Sequence, residues 1–241
     1  MMSNLKPIYL LAGGRAKTRK TPDPLIQAVF RETGKSSPII AYVGTASEDD
    51  KTFFRYVAKI LREAGASKVD HALITPPKAD LKKARDILQA ADIVFISGGD
   101  VEIGMKMLKE KNMTDFLFQL YKQGMLFFGV SAGSIMLAKE WVRWKDPNDD
   151  STAELFPCMG FTPIICDTHA EDENWEGLKM ALKLDKDSLK GYGIATGTGI
   201  RVYPDGNIEA LGGAIYQYVK HGAKVDKDSD ILPHNTTHLL V

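Results

Sequence analysis

The chain is poor in cysteine, with two in 241 residues, and it carries no excess charge, 31 lysines and arginines being offset by 31 aspartates and glutamates. Two cysteines, Cys158 and Cys166, cannot build a disulfide framework, and no CxxC pair or Cys/His cluster at zinc spacing accompanies them. A reducing cytoplasm is the compartment this usage fits. The zero net charge removes the general attraction to phosphate backbones and anionic lipid, so neither nucleic acid nor a membrane is an expected partner. Long hydrophobic runs are missing as well. The first, Ile8 to Ala12, has five residues, too few for a signal-peptide core or a membrane span. No stretch rich in Pro, Gly or Ser divides the chain, and no internal repeat or low-complexity tract is visible, so a single domain over residues 1–241 is expected, ending in a polar tail from about Lys224.

What is present is an alternation. Short apolar runs rich in β-branched residues predict strands at Ile8 to Ala12, Pro38 to Val43, Lys68 to Leu73, Asp92 to Ser97 and Met125 to Val130. Segments of helical period separate them: Asp23 to Thr33, Asp49 to Ala64, Ala79 to Gln89, Val101 to Lys109 and Thr114 to Gln123. In the second of these, Phe53, Phe54, Val57, Ile60 and Leu61 recur at three- and four-residue steps and Gly65 supplies the stop. Strands apolar throughout, alternating with helices, predict an α/β fold of flavodoxin-like, doubly wound type with a mostly parallel sheet. After residue 140 the pattern changes. Trp141 to Ser151 reads as an irregular polar loop, Pro163 to Asp167 as a short strand and Trp175 to Leu184 as a helix. Arg201 to Tyr203 and Ile208 to Leu211 flank the turn Pro204-Asp205-Gly206-Asn207, predicting a C-terminal antiparallel extension of the same sheet.

The segment Met125 to Ala138 runs from an apolar strand into an apolar helix through Gly129-Val130-Ser131-Ala132-Gly133. This is the G-x-S-x-G pattern in the strand–turn–helix context that a nucleophile elbow requires. Small flanking residues let the backbone pass close to a tight corner, the Ser131 hydroxyl is pushed above the sheet, and the Ala132 N–H is aimed at an oxyanion forming beside it. A plain packing turn uses the same small residues. A second strand ends in Ser97-Gly98-Gly99-Asp100, whose turn opens on the same carboxyl edge and offers the Gly99 N–H as a second oxyanion donor. Five histidines are available as a base: His71, His169, His221, His234 and His238. His169 emerges at a strand end, His71 lies inside an early strand, and the other three lie in the polar C-terminal region. A neutral imidazole takes the serine proton and returns it to the leaving amine, while a carboxylate orients its other nitrogen. Asp146, Asp149, Asp150, Glu154 and Asp167 all remain open for that role.

With these residues the chain resembles the family of serine peptidases containing dipeptidase E and cyanophycinase, which shares its fold with class I glutamine amidotransferases. The resemblance runs from about residue 8 to residue 220, through Gly98-Gly99-Asp100, Gly129 to Gly133, Asp167-Thr168-His169, Gly191-Tyr192-Gly193-Ile194 and Leu211-Gly212-Gly213-Ala214. It implies Ser131 as nucleophile, His169 as base, Asp146 as third member, and Gly99 and Ala132 as oxyanion donors; Gly98, Asp100 and Glu171 of this chain are the candidate substrate contacts. It implies no cofactor and no metal, a small peptide as substrate, and leaves a homodimer open. Two departures stand out. Ala170-Glu171-Asp172-Glu173-Asn174-Trp175-Glu176 replaces the family's Phe and arginines after the histidine, and three consecutive acids repel an aspartyl side chain. Ala195-Thr196-Gly197 stands where many relatives carry acidic residues. An exopeptidase acting on short peptides is therefore the expected function. An amidohydrolase or esterase with the same dyad, or a catalytically silent binding protein, are the alternatives.

Lesser features are Gly13 to Lys20, whose glycines and four cations follow the first strand as a solvated loop or an anion contact, and Trp141, Trp144 and Trp175, read as core residues or as pocket walls. Cys166, three residues from His169, reads as packing.

Overall fold

The computed structural model describes residues 5–14, 22–187 and 189–233. The first half is the expected alternation: β1 (Ile8–Leu11), α1 (Pro24–Arg31), β2 (Ile39–Val43), α2 (Lys51–Glu63), β3 (Lys68–His71), α3 (Leu81–Ala90), β4 (Ile93–Ile96), α4 (Val101–Glu110), α5 (Thr114–Lys122), β5 (Leu126–Val130) and α6 (Ala132–Leu137). Each of α1 to α4 starts on an aspartate. Asp23, Asp50, Asp80 and Asp100 accept hydrogen bonds from amides of the first turn, and Pro24 pre-sets the start of α1. The second half comprises β6 (Glu140–Trp144), β7 (Ala153–Pro157), β8 (Ile165–Thr168), α7 (Glu176–Leu184), β9 (Lys190–Ile194), β10 (Gly199–Val202), β11 (Ile208–Leu211), β12 (Tyr216–His221) and β13 (Lys224–Lys227).

The main sheet has the order β11-β10-β1-β5-β4-β2-β3, in which β1 to β5 are parallel, β10 pairs antiparallel with β1, and β11 antiparallel with β10. Helices cover both faces. Leu25, Ile26 and Val29 of α1 and Ala58 and Leu61 of α2 pack on one, against Phe95 and Phe128. Helices α3 to α6 pack on the other, against Ile96 and Phe127. The inner strands β1, β2, β4 and β5 are buried on both sides, so they are apolar throughout, and full burial of side chains such as Phe127 and Phe128 contributes roughly 1.5–3 kcal/mol each. After β1 the chain turns to the first face and after β5 to the second. The neighbouring carboxyl ends of β1 and β5 therefore part, leaving a crevice where doubly wound sheets bind ligands.

The expected antiparallel extension of the main sheet is formed by β10 and β11, and β8, β9, β12 and β13 make a second sheet of order β13-β12-β9-β8. Two expectations are corrected. The predicted loop at Trp141 to Ser151 begins inside β6, which pairs antiparallel with β7 as a separate ribbon. The polar tail is strand over Lys224–Lys227, because β13 satisfies the edge of β12, and Ile231 bridges back to Ile215. His234, His238 and residues 15–20 of the basic loop lie outside the described residues.

Candidate active site

Ser131 occupies the corner between β5 and α6 with φ 55 and ψ −124, a conformation that L residues rarely adopt. Two bonds to the Leu11 carbonyl of β1 hold it there, from the Ser131 amide at 2.9 Å and from the Ser134 hydroxyl at 2.8 Å. The Gly98-Gly99 turn lies directly against the serine. A β-carbon placed on Gly98 would stand 3.3 Å from Ser131 Cβ and 3.9 Å from its Oγ, and one on Gly99, whose φ is +143, would fall 2.0 Å from the Ala46 carbonyl oxygen. Glycine is thus required at position 99 by both backbone angle and space. Neither the Gly99 nor the Ala132 amide has a hydrogen-bond partner among the described residues. Both amides stay available to an acceptor beside the serine.

The turn under Gly99 has a buttress that the sequence reading missed. Asp49, 5% exposed and at φ 56, accepts from the amides of Ile74 and Thr75 at 2.8 Å each, from the Thr75 hydroxyl at 3.0 Å, and meets His71 Nε2 at 2.9 Å. Burial pushes its carboxyl upward, but the bonds from His71, Thr75 and Ile74 outweigh that and hold it below its ordinary value. This fixes the Thr45–Ser47 turn, whose Ala46 carbonyl receives the Asp100 amide at 2.7 Å. A run beginning Glu48-Asp49-Asp50 looks like a helix start, and only Asp50 caps α2. His71 is accordingly a structural partner of Asp49.

His169 follows β8 with φ 62 and is held by its amide to the Ile194 carbonyl at 3.3 Å. Its Nδ1 meets Thr196 Oγ1 at 2.9 Å. The Thr196 amide donates in turn to Glu171 Oε1 at 2.5 Å. Burial acts to raise the Glu171 carboxyl, but the Thr196 amide, the Glu171 amide, the Thr196 hydroxyl and the nearby His169 bring it below the usual range, so it is ionised at neutral pH.

Ser131 and His169 line one cavity of about 680 Å³ with Gly98 and Gly99. Its walls are Leu25 and Ile26 of α1 and Phe53, Val57 and Ile60 of α2, and its floor includes Phe95 and Phe128. Such a volume suits a small organic ligand. No hydrogen bond joins the serine hydroxyl to the imidazole, and His169 Nε2 has no partner among the described residues.

Several predicted residues are placed elsewhere. Asp146 makes no hydrogen bond or ion pair with His169. Its carboxylate accepts from the Asn148 amide at 3.0 Å in the exposed turn between β6 and β7, which ties it into that turn. Asp149 caps the short turn at Ser151, and Glu154 is engaged by Arg143 and Lys145. Asp100 caps α4, its carboxylate accepting from the Ile103 amide at 2.8 Å. Glu171 is committed to Thr196 rather than free in the cavity. Asp167 packs beside Gly177 and is pushed up to about 6 by burial, with its bond from the Thr168 amide opposing and Glu173 adding to the rise. Trp175 is 2% exposed and packs on Tyr216, and neither it nor Trp141 nor Trp144 lines the cavity. Burial, with Glu140 adding to it, pushes the Cys158 thiol up to about 12, and burial raises Cys166 as well, so neither competes with Ser131 as a nucleophile. Among the described residues no group of three or more His, Cys, Asp or Glu is arranged to hold a metal ion, and no helix is long and apolar enough to cross a membrane.

The model of peptidase family S51 matches residues 8–209, most of the chain. The chain belongs to peptidase family S51, a family of serine peptidases. It is similar to the uncharacterized peptidase YgaJ of Bacillus subtilis, 23% identical over 138 residues, which are 57% of this chain and 59% of that protein. It is also similar to peptidase E of Haemophilus influenzae, 26% identical over 129 residues, 52% of this chain and 56% of that one. The matches thus span less than two thirds of these curated relatives. The fold resembles the crystal structure of a peptidase from an acI-B1 actinobacterium, with a TM-score of 0.71 at 15% identity over 95% of this chain and 97% of that one. It likewise resembles a putative peptidase E from Listeria monocytogenes EGD-e, with a TM-score of 0.61 at 14% identity over 86% and 98%.

Proposed function

We propose that the protein is a serine exopeptidase of the S51 family that hydrolyses short peptides in the cytoplasm. The observation that carries this reading is the strained Ser131 corner, opening with His169 into one cavity beside two amides without partners. In this reading Ser131 is a nucleophile elbow. Its Oγ attacks the scissile carbonyl carbon while its proton passes to His169 Nε2. The carbonyl oxygen becomes an oxyanion that accepts from the Gly99 and Ala132 amides. Collapse breaks the C–N bond, the amine leaves with the proton from Nε2, and water, deprotonated by the same nitrogen, releases the acid and frees Ser131. The strain of about 1–3 kcal/mol at a positive-φ serine is the cost of holding Oγ above the sheet edge.

Cavity size supports a substrate of a few residues, and apolar walls favour neutral side chains over the aspartyl type. The unpaired cysteines support a reducing compartment. A fluorophosphonate probe tests the reading: the expected result is a single adduct mapping to Ser131 by mass spectrometry, with peptide hydrolysis lost in step. An unlabelled Ser131 in protein that still hydrolyses dipeptides would overturn it.

A further inference from the structure

Resting on the assignment of His169 as the base, we infer that Thr196 and Glu171 together position it, the Glu171 carboxylate acting on the imidazole through the Thr196 hydroxyl. Neither residue touches the reacting atoms, so both are positioning residues.

The register explains why they meet. Strands β8 and β9 run parallel with Thr168 opposite Ile194, so His169 and Thr196 leave the same edge side by side. The turn carrying Thr196 is pinned on both sides, by the Gly197 amide on the Gly13 carbonyl at 2.6 Å and by the Thr198 hydroxyl on the Ala195 carbonyl at 2.7 Å. The segment carrying Glu171 is pinned by the Trp175 amide on the Ala170 carbonyl at 3.0 Å. Trp175 in turn lies flat against Gly193, where any β-carbon would come within 2.6 Å of the indole. Glu171 is therefore held over the end of β9 by a buried tryptophan.

The chemistry follows from the direction of the hydrogen bonds. A threonine hydroxyl has one proton. An ionised Glu171 beside Thr196 draws that proton, which turns an oxygen lone pair toward His169 Nδ1. Nδ1 then keeps its hydrogen, and Nε2 faces the cavity as the free acceptor that serine deprotonation requires. With the hydroxyl proton turned the other way, Nε2 would carry the hydrogen and the ring would be the wrong tautomer. The carboxylate also stabilises the imidazolium formed after proton transfer, one group further away than in a direct carboxylate–imidazole pair.

The test compares Thr196→Val, Thr196→Ser and Glu171→Gln in the full chain, using a dipeptide substrate and ¹⁵N-histidine NMR. Thr196→Val is expected to lower kcat about 10- to 100-fold with KM within about twofold, Thr196→Ser to restore most of it, and Glu171→Gln to lower kcat by less in the same direction. The NMR spectrum is expected to show Nδ1–H at His169 in the parent and loss of that tautomer in Thr196→Val. Unchanged kcat in Thr196→Val and Glu171→Gln, or a Thr196→Ser protein as impaired as Thr196→Val, would overturn the relay. Ser131→Ala and His169→Ala separate this from failure of the underlying reading: both inactive with Thr196→Val unaffected sinks the relay alone, whereas full activity in either sinks both.

Discussion

Gly129 and Gly133 meet across the corner that presents Ser131: a β-carbon on Gly129 would lie 2.4 Å from the Gly133 carbonyl carbon, and one on Gly133 would lie 2.1 Å from the Ile96 carbonyl oxygen. Both obstacles are backbone, so neither can swing aside. The helix α6 packs this closely on β5 and β4 only because two side chains are missing, and the closeness brings the Ser131 corner level with the Gly98-Gly99 turn.

Gly133→Ala is accordingly expected to force α6 away from the sheet. Overpacking against immovable backbone costs about 3 kcal/mol or more, which in a chain of this size lowers Tm by roughly 6–12 °C. Activity should fall with it, since the Ser131 hydroxyl moves relative to the Gly99 amide. Thermal unfolding followed by circular dichroism checks the first part and dipeptide hydrolysis the second. An alanine variant with parental Tm would show that the corner is looser than drawn.

Ser131 itself sets function against stability. At φ 55 and ψ −124 any side chain is strained and glycine is not, so Ser131→Gly and Ser131→Ala should both lose at least about 10³-fold in kcat yet differ in stability. The glycine variant is expected to be the more stable by about 1 kcal/mol, the relief of strain being partly offset by the greater freedom of glycine in the unfolded chain. Urea unfolding of the two variants side by side measures the difference directly. An alanine variant as stable as the glycine one would remove the case for a strained corner.

How far the sequence was readable depended on how local each signal was. Strands β1, β2, β4 and β5 are apolar throughout because both faces are covered, and that pattern needs no partner to be recognised, whereas the edge strand β3 carries Lys68, Asp70 and His71. The corner was equally legible, since the Gly-x-Ser-x-Gly spacing encodes its sterics within five residues. Strand β6 was not. Glu140-Trp141-Val142-Arg143-Trp144 is half exposed, and what marks it as a strand is the opposite charge of Glu154, which faces Arg143 only once the register with β7 is known. Asp146 rests on the family resemblance alone, whereas the group at His169 Nδ1 comes from Thr196, 27 residues away, through the pairing of β8 with β9. The bond that Glu171 accepts is hidden in the sequence for the same reason, its partner amide being 25 residues further on.

Asp167 gives a pH dependence of stability with a definite sign. Its carboxyl ordinarily titrates near 3.8 and in the folded protein is pushed up to about 6 by burial. The folded state therefore holds this proton more tightly than the unfolded chain. The resulting stability is fully present below about pH 3.8 and is lost as pH rises through about 6, by an amount on the order of 3 kcal/mol. Asp167→Asn keeps an oxygen to accept from the Thr168 amide and removes the buried charge. The variant is expected to unfold at higher urea than the parent at pH 8 and at similar urea at pH 4. A variant less stable than the parent at pH 8 would show that the carboxylate is stabilised by a charge not accounted for.

The cavity beside Ser131 makes a prediction about substrates that is separate from the chemistry at the serine. Among its described lining residues the carboxylates are Asp23 and Glu63, and the rest of the wall along α1 and α2 is apolar, with Leu25, Ile26, Phe53, Val57 and Ile60. An aspartyl side chain entering it would give up hydration without gaining a counter-charge from those residues. A leucyl or phenylalanyl side chain would instead bury apolar surface, worth about 25 cal/mol per Å², so even half of such a side chain contributes on the order of 1–1.5 kcal/mol. Dipeptides with a neutral apolar N-terminal residue are therefore expected to exceed their aspartyl counterparts in kcat/KM by about tenfold or more, a factor that corresponds to roughly 1.4 kcal/mol in the transition state. A dipeptide library differing only at that residue measures the ratio. Preference for the aspartyl member, with Ser131 still labelled by the probe, would mean that the side chain is bound elsewhere than along α1 and α2.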